Sequence, residues 1–437
     1  MMKKFHALFL SLFLFNNIIN AQTSNPGTII SVDFNKELGI FKPAWAWFGY
    51  DEPNYTYMKD GKKLLSELSA MPARLNDVSR SGGSPVPVYV RAHNLLNTGD
   101  GTAAFKWGST NIYTEDAEGN AIYDWTIIDR IFDTYIERGM KPLAEMGFMP
   151  EALSSKPVPY RHYWKSGDPY DDIYTGWRFP PEDYKKWGEL IYQWVKHSAE
   201  RYGKQEVESW CWELWNEPDA KYWGGTVSSF AKIYDIALDY NINLLGIVTW
   251  AFEFEDQPWF HGFRDLATNG VDKPVLNVFR MFGKMGNTRI EAKSNSGFSY
   301  RGVIDSGVRG SATDIGAIAT KSQDDVTVMF WNYHDDDKTS PDAMVEFDLH
   351  GIPVKKVMVT QYRIDRDNSN SYEVWKEMGS PQNPSAEQYK QLEKAGMLAL
   401  AGSPGSVKVK KGIMKIKTQI QRQGVGLLKI SWTTSGK

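Results

Sequence analysis

Val207-Glu208-Ser209-Trp210-Cys211-Trp212-Glu213-Leu214-Trp215-Asn216-Glu217-Pro218-Asp219 is an apolar, aromatic run that breaks off in polar residues and a proline. Its first part, Val207 to Trp215, has the length and composition of a buried strand. Pro218 fixes the turn just past it, because its ring locks φ and removes a hydrogen-bond donor. On the upstream side, Pro181-Glu182-Asp183 opens a helix that continues to Tyr202, since Pro and acidic residues favour a first helical turn. On the downstream side, Val227 to Tyr240 reads as a helix and Leu244 to Phe252 as the next strand. A strand set between helices in this way is the unit of a parallel β/α fold.

The same alternation extends toward the N-terminus. Strands are predicted at 41–48, 86–91 and 141–148. Helices are predicted at Lys62 to Ala70 and at Trp125 to Arg138, the latter with Ile128, Ile131, Phe132 and Tyr135 on one face. Long polar loops follow the second and third of these strands, and (β/α)8 barrels build active sites from such loops. The expected fold class is therefore α/β, a (β/α)8 TIM-barrel-type catalytic domain over residues 41–285. After about Gly286 the pattern changes to short alternating runs separated by turn residues: Ile315 to Ala319, Val326 to Trp331, Met344 to Leu349, Val357 to Ile364, Ser406 to Val409 and Leu427 to Trp432. These predict a C-terminal antiparallel β-sandwich over 286–437, with a helical insert at Pro384 to Gly396. Residues 22–40 carry one strand-like run, Thr28 to Phe34, expected to join that sandwich.

Composition narrows the function. The 437 residues are 42% hydrophobic and 24% charged with a formal net charge of -3, which gives no electrostatic case for a nucleic-acid partner. Aromatic residues reach 14%, and flat amphipathic rings suit the apolar faces of sugars as well as a large core. The start reads as an export signal over residues 1–21: Lys3 and Lys4, an apolar run Leu8 to Phe15, then Ile19-Asn20-Ala21 before Gln22. A secreted or periplasmic location is expected. That run is too short to span a bilayer, and no later stretch is long and apolar enough for a membrane helix. Cys211 is the single cysteine, so no internal disulfide forms, and the scattered histidines suggest neither a metal site nor a cofactor.

The chemistry is expected at the end of the quoted strand. Alternation puts Glu213, Trp215 and Glu217 on one side of the chain. A carboxyl group at a barrel rim beside an indole is partly desolvated, which raises its pKa as a general acid at neutral pH requires. Glu217 is that candidate, and the bland alternative is an exposed acid in a turn. Asn216 offers an amide for a substrate hydroxyl or for orienting a carboxylate.

Several segments resemble glycoside hydrolase family 39, retaining (β/α)8 glycosidases of the β-xylosidase and α-L-iduronidase type. They are Val90-Arg91-Ala92-His93, Pro142-Leu143-Ala144-Glu145-Met146-Gly147-Phe148-Met149-Pro150, Trp215-Asn216-Glu217-Pro218, Trp250-Ala251-Phe252-Glu253-Phe254-Glu255-Asp256 and Tyr362-Arg363-Ile364-Asp365. The resemblance implies Glu217 as acid/base, with substrate contacts from His93, Asn216, Trp215 and Trp250. For His93 the alternative is a core histidine, and for Glu145 a buried structural acid. The implied substrate is an oligosaccharide or glycoside, and the implied role a secreted β-xylosidase-like hydrolase that needs no cofactor.

A retaining mechanism needs two carboxyls about 5–5.5 Å apart. In the family the nucleophile is a Glu on the seventh barrel strand. Here Trp250 follows Glu217 by only 33 residues, and one parallel crossover takes about 30. The segment for strands five to seven is therefore expected to be missing, and the nucleophile with it. Three readings follow: a shortened chain that cannot complete double displacement; a second carboxylate supplied by Glu253 or Glu255, whose alternative is a structural or rim acid; or a non-catalytic carbohydrate-binding protein. Two unpaired strand edges predict either an open sheet or pairing with a second copy as a homo-oligomer.

Overall fold

The computed structural model describes residues 27–217 except 42, 44, 72–86 and 166, and residues 248–433 except 251, 262–264, 299–306, 312, 337 and 339; of 248–250 it describes the backbone alone. The predicted leader and the predicted helix at 227–240 lie outside the described residues. Along the chain come β1 (Thr28–Ile40), β2 (Trp47–Tyr50), helix α1 (Lys59–Ala70), β3 (Tyr89–Ala92), the hairpin β4 (Tyr113–Glu115) and β5 (Ala121–Tyr123), α2 (Thr126–Ile136), β6 (Lys141–Glu145), α3 (Tyr184–Tyr202), β7 (Cys211–Glu213), β8 (Val248–Trp250), β9 (Phe252–Phe254), β10 (Asp265–Thr268), β11 (Val271–Asp272) and α4 (Pro274–Lys284). The rest is mainly strand: β12 (Thr288–Ser294), β13 (Asp314–Lys321), β14 (Asp325–Tyr333), β15 (Ala343–His350), β16 (Lys356–Ile364), helices α5 (Ser371–Glu377) and α6 (Ala386–Gly396), then β17 (Ala399–Leu400), β18 (Gly405–Lys408), β19 (Met414–Ile420) and β20 (Gly424–Ser431).

The β/α part is a curled, half-barrel sheet of five parallel strands in the order β7-β6-β3-β2-β8. β2, β3 and β6 are near-continuously buried, as strands covered on both faces are: Phe48, Val90 and Ala144 are core residues, and Ile128, Ile131, Phe132 and Tyr135 of α2 join the same cluster. The start of α3 is set by Asp183, whose side chain accepts from the backbone N–H of Lys185 at 2.8 Å, and Gly203 at φ 90 ends it. The strand predicted over 244–252 is two pieces. β8 pairs with β2 through Gly49 and Trp250, whereas β9 pairs with β10 in a separate three-stranded sheet. Pairing of the late strand β8 with the first strand of this sheet is the closure that a (β/α)8 barrel makes between its last and first strands.

The C-terminal part differs from the expected sandwich. Its strands form one ten-stranded sheet, β17-β16-β20-β14-β13-β12-β1-β15-β19, with β18 also on β16. Hydrogen bonding is continuous from edge to edge, so there are not two separate sheets. The sheet nonetheless folds over on itself: Phe330 of β14 meets Phe347 of β15 edge to face at 4.9 Å, although three strands lie between them in the sheet. Bulges in β1 near Asp33 and Glu37 supply local bending there. β1 lies antiparallel to β12 and parallel to β15. The helical insert predicted at Pro384 to Gly396 is α6, started by a capping box at Ser385 and Gln388; α5, which precedes it, was not predicted.

Candidate active site

Each of the four strands β2, β3, β6 and β7 ends on a charged or ionisable side chain: Asp51 just past β2, Arg91 and His93 at the end of β3, Glu145 on β6 and Glu213 on β7. Because the strands are parallel and in register, these side chains meet at one end of the sheet. Arg91 is the hub. Its Nε donates to Glu213 Oε2, its Nη1 to His93 Nε2, and its Nη2 to Asn216 Oδ1 at 3.0 Å, with Glu145 Oε2 at 3.6 Å. On its other side His93 Nδ1 lies 2.9 Å from Asp51 Oδ1, and Lys106 Nζ donates to Asp51 Oδ2 at 2.9 Å.

This arrangement fixes protonation states. A guanidinium can only donate, so His93 Nε2 accepts from Arg91 and the imidazole carries its proton on Nδ1, toward Asp51. Burial, reinforced by the Arg91 charge, pushes the His93 pKa down to about 4, so the ring is neutral at pH 7. Burial alone raises the Asp51 carboxyl, but hydrogen bonding and charge from His93 and Lys106 outweigh it and hold the acid well below the usual carboxylate range. Glu145 behaves oppositely. It is 0% exposed, and burial pushes its carboxyl up to about 8 against the pull of Arg91, with Glu213 and Asp51 adding to the rise. Glu52, buried beside Asp51, is also raised well above its ordinary value, by burial first and by the Asp51 charge second. Two strand ends, on either side of β3, thus hold one ionised and one neutral carboxyl, the separation of roles that acid–base chemistry uses.

The residues expected from sequence are placed as follows. Asn216 is buried and held by Arg91, within the cluster. His93 is buried at its centre. Glu217 lies just past the end of β7 but is exposed, and among the described residues it makes no hydrogen bond or ion pair. The expected cover by Trp215 is absent: that indole is 5% exposed and meets Phe148 edge to face at 5.5 Å, inside the hydrophobic core. The reason is local. β7 stops at Glu213, Leu214 faces solvent, and Glu217 takes a φ of 37, so the two-residue alternation assumed for 213, 215 and 217 does not persist. A non-glycine residue in the left-handed region stores about 1–3 kcal/mol and is met disproportionately at functional sites. β8 carries Trp250 opposite Gly49 of β2.

Glu253 and Glu255 belong to another neighbourhood. Glu253 is buried on β9 and accepts from the Gly270 N–H at 3.3 Å; burial first, then the Asp60 charge, raises it to about 8. Glu255 Oε2 accepts from the Asp60 N–H at 3.0 Å, at the N-terminus of α1. There it complements the positive end of the helix dipole, a structural use of an acid. Among the described residues neither shares a contact with Glu217. The sequence reading passed over Asp51, Arg91 as hub, and Lys106. For Asp51 and Arg91 a signal was available: the first barrel strands run apolar and then end on an ionisable residue, the position that reads as functional in this fold; Lys106, in the loop after β3, had none.

Comparison with known proteins accords with this geometry. The profile of Glycosyl hydrolases family 39 matches residues 28–241 and 247–401. The chain belongs to glycosyl hydrolases family 39. Among curated family relatives, a β-xylosidase of Caldicellulosiruptor saccharolyticus is 36% identical over 151 residues, 34% of this chain and 27% of that protein. A β-xylosidase of Geobacillus stearothermophilus is 37% identical over 153 residues, 34% of this chain and 26% of that one. The matched stretch spans about a quarter of the length of these relatives. Similar solved structures include a monomeric β-xylosidase from Caulobacter crescentus CB15 (TM-score 0.65, 16% identity, 93% of this chain and 100% of that chain). Another is a family 39 enzyme from Xanthomonas axonopodis pv. citri (TM-score 0.66, 15% identity, 95% and 100%). At such identities the likeness concerns the fold, a TIM-barrel-like α/β domain with a sheet domain. Among the described residues no helix is long and apolar enough to cross a membrane.

Proposed function

We propose that this family 39 chain is a secreted β-xylosidase-type glycoside hydrolase in which Glu217 is the acid/base carboxyl. The observation that carries the proposal is the convergence of Asp51, Arg91, His93, Glu145 and Asn216 at one end of the parallel sheet, with Glu217 the residue after Asn216. Arg91 fixes the Asn216 amide, and the neutral His93 holds the ionised Asp51, whose remaining lone pairs can accept from sugar hydroxyls. Glu217 would protonate the departing glycosidic oxygen and then activate water. Export through the 1–21 leader belongs to the same proposal, and N-terminal sequencing of mature protein from the medium or periplasm, starting near Gln22, tests it.

The barrel of this chain is proposed to be incomplete. Support comes from the parallel sheet, which among the described residues has five strands with β7 and β8 outermost, and from a family match broken between 241 and 247, inside the short span that separates those strands. One observation favours a second reading, sugar binding without cleavage: Glu253 and Glu255 are engaged around α1 and the β10–β11 turn, which speaks against either as the second carboxylate.

The deciding experiment is hydrolysis of an aryl β-xyloside by the wild type and by Glu217→Gln. The proposal expects turnover by the wild type and a lower rate in the variant, a loss that reaches about 10²–10⁴-fold, the usual contribution of a positioned acid, where the leaving group is a poor one such as a sugar hydroxyl. Equal rates in both overturn the acid/base assignment, and binding without product supports the second reading.

A further inference from the structure

Beside the charged cluster, the long loops after β3 and β6 meet the segment after β9 around a cavity of about 450 Å³. This lies within the range of small-ligand pockets, about 300–1,000 Å³. Phe105, Tyr163 and Trp164 give it ring surfaces, and Asp100, His162 and Gln257 give it polar groups.

The walls are anchored. The Trp164 backbone N–H donates to Lys106 O at 3.1 Å and its indole N–H to Pro169 O at 3.3 Å. Phe105 stacks on Phe254 at 4.8 Å and lies 6.2 Å from the Trp164 ring. The Gln257 carbonyl accepts from Asn269 Nδ2 at 2.8 Å. Lys106, the next residue after Phe105, sends its ammonium to Asp51 in the cluster. Pocket and cluster are therefore joined through consecutive residues.

The chemistry of the walls selects a ligand class. Rings bury the C–H faces of a sugar while carboxylate, imidazole and amide groups pair with its hydroxyls. Charge is balanced: the Asp100 carboxylate faces the His162 ring at 3.5 Å, and Lys165 at the rim offsets it. Among the described lining residues no excess positive charge stands ready for a uronate carboxylate.

We propose that this pocket is a saccharide subsite separate from the charged cluster, holding a neutral sugar unit of an oligosaccharide whose terminal residue occupies the cluster. The inference rests on the proposed carbohydrate function but not on turnover. Calorimetry on the full chain with xylose, xylotriose and a glucuronic-acid-substituted xylotriose tests it. Trp164→Ala is expected to weaken xylotriose binding about tenfold or more, the equivalent of about 1.4 kcal/mol of lost stacking. Trp164→Phe should restore most of it, Gln257→Ala should weaken it several-fold, and xylose binding should not change. Gln257→Ala removes only an amide, so the test stands even if Trp164→Ala fails to fold. Unchanged xylotriose affinity in Gln257→Ala and any folded Trp164 variant overturns the proposal. No xylotriose binding by the wild type, or a tenfold preference for the uronate ligand, does the same. An inactive chain that binds xylotriose through Trp164 overturns the hydrolytic reading alone. An active chain indifferent to both substitutions overturns the pocket alone.

Discussion

Glu145→Gln is expected to stabilise this protein at neutral pH and to make it less stable relative to wild type in acid. Glu145 is 0% exposed, and burial raises its carboxyl from an ordinary value of 4.5 to about 8. Between those values the folded chain holds a proton that the unfolded chain has released. Stability linked to this group is therefore fully present below about pH 4.5 and is lost as pH rises toward 8, at about 1.4 kcal/mol per pH unit. From pH 4.5 to 7 the loss comes to about 3 kcal/mol. A glutamine has nearly the shape of the neutral acid and does not titrate, so its contribution is flat across this range. Urea unfolding of both proteins at half-unit steps from pH 4.5 to 8 reads the difference directly, since every other titrating group largely cancels. The unfolding free energy of the wild type minus that of the variant should fall by about 3 kcal/mol from pH 4.5 to 7. A flat difference, or a variant that weakens as pH rises, would mean that the Arg91 charge overrides burial and that Glu145 is ionised in the fold.

Three further outcomes follow from packing and charge. A Cβ on Gly283 would sit 2.4 Å from the Met71 carbonyl oxygen, where backbone cannot yield easily, so Gly283→Ala should cost about 1–3 kcal/mol in urea unfolding; a neutral result would show that α4 can slide off the end of α1. Glu255→Ala should remove about 0.3–1 kcal/mol by exposing the first turn of α1, read as a lower urea midpoint, whereas a hundredfold loss of xyloside hydrolysis would return Glu255 to the active site. Arg91→Met leaves the Asn216 amide, His93 Nε2 and the part-exposed Glu213 without their donor and should destabilise by about 1–3 kcal/mol at pH 7; retention of wild-type stability would show that solvent already satisfies these groups.

The alternation of strand and helix was legible in the sequence. The reason is that parallel strands are long apolar runs and their crossovers have a minimum length. The placement of Glu217 was not, because it depends on where β7 stops. Two residues of extra strand at Leu214 and Trp215 would have carried the pleat on, but the chain turns at Leu214 and buries Trp215 beside Phe148. The continuous sheet was hidden for a related reason: alternation reveals which face of a strand is buried, not which strand lies beside it. β12 escaped notice because Ile290 is its only large apolar residue between Arg289, Glu291 and Lys293. β19 was missed although Met414, Ile416 and Ile420 alternate with lysine and polar side chains. Asp51 and Lys106 needed the fold to be seen together, since 55 residues separate them and only the return of the loop after β3 joins them.

The acid role of Glu217 is tested most directly by the leaving-group dependence of bond cleavage. kcat/KM should be measured for xylobiose and for 2,4-dinitrophenyl β-xyloside with wild type and Glu217→Gln. If Glu217 hands its proton to the departing oxygen, the variant loses about 10²–10⁴-fold on xylobiose, whose leaving group needs protonation, and far less on the activated aryl xyloside, which departs as a stable anion. Equal losses on both substrates, or none on xylobiose, would contradict the account.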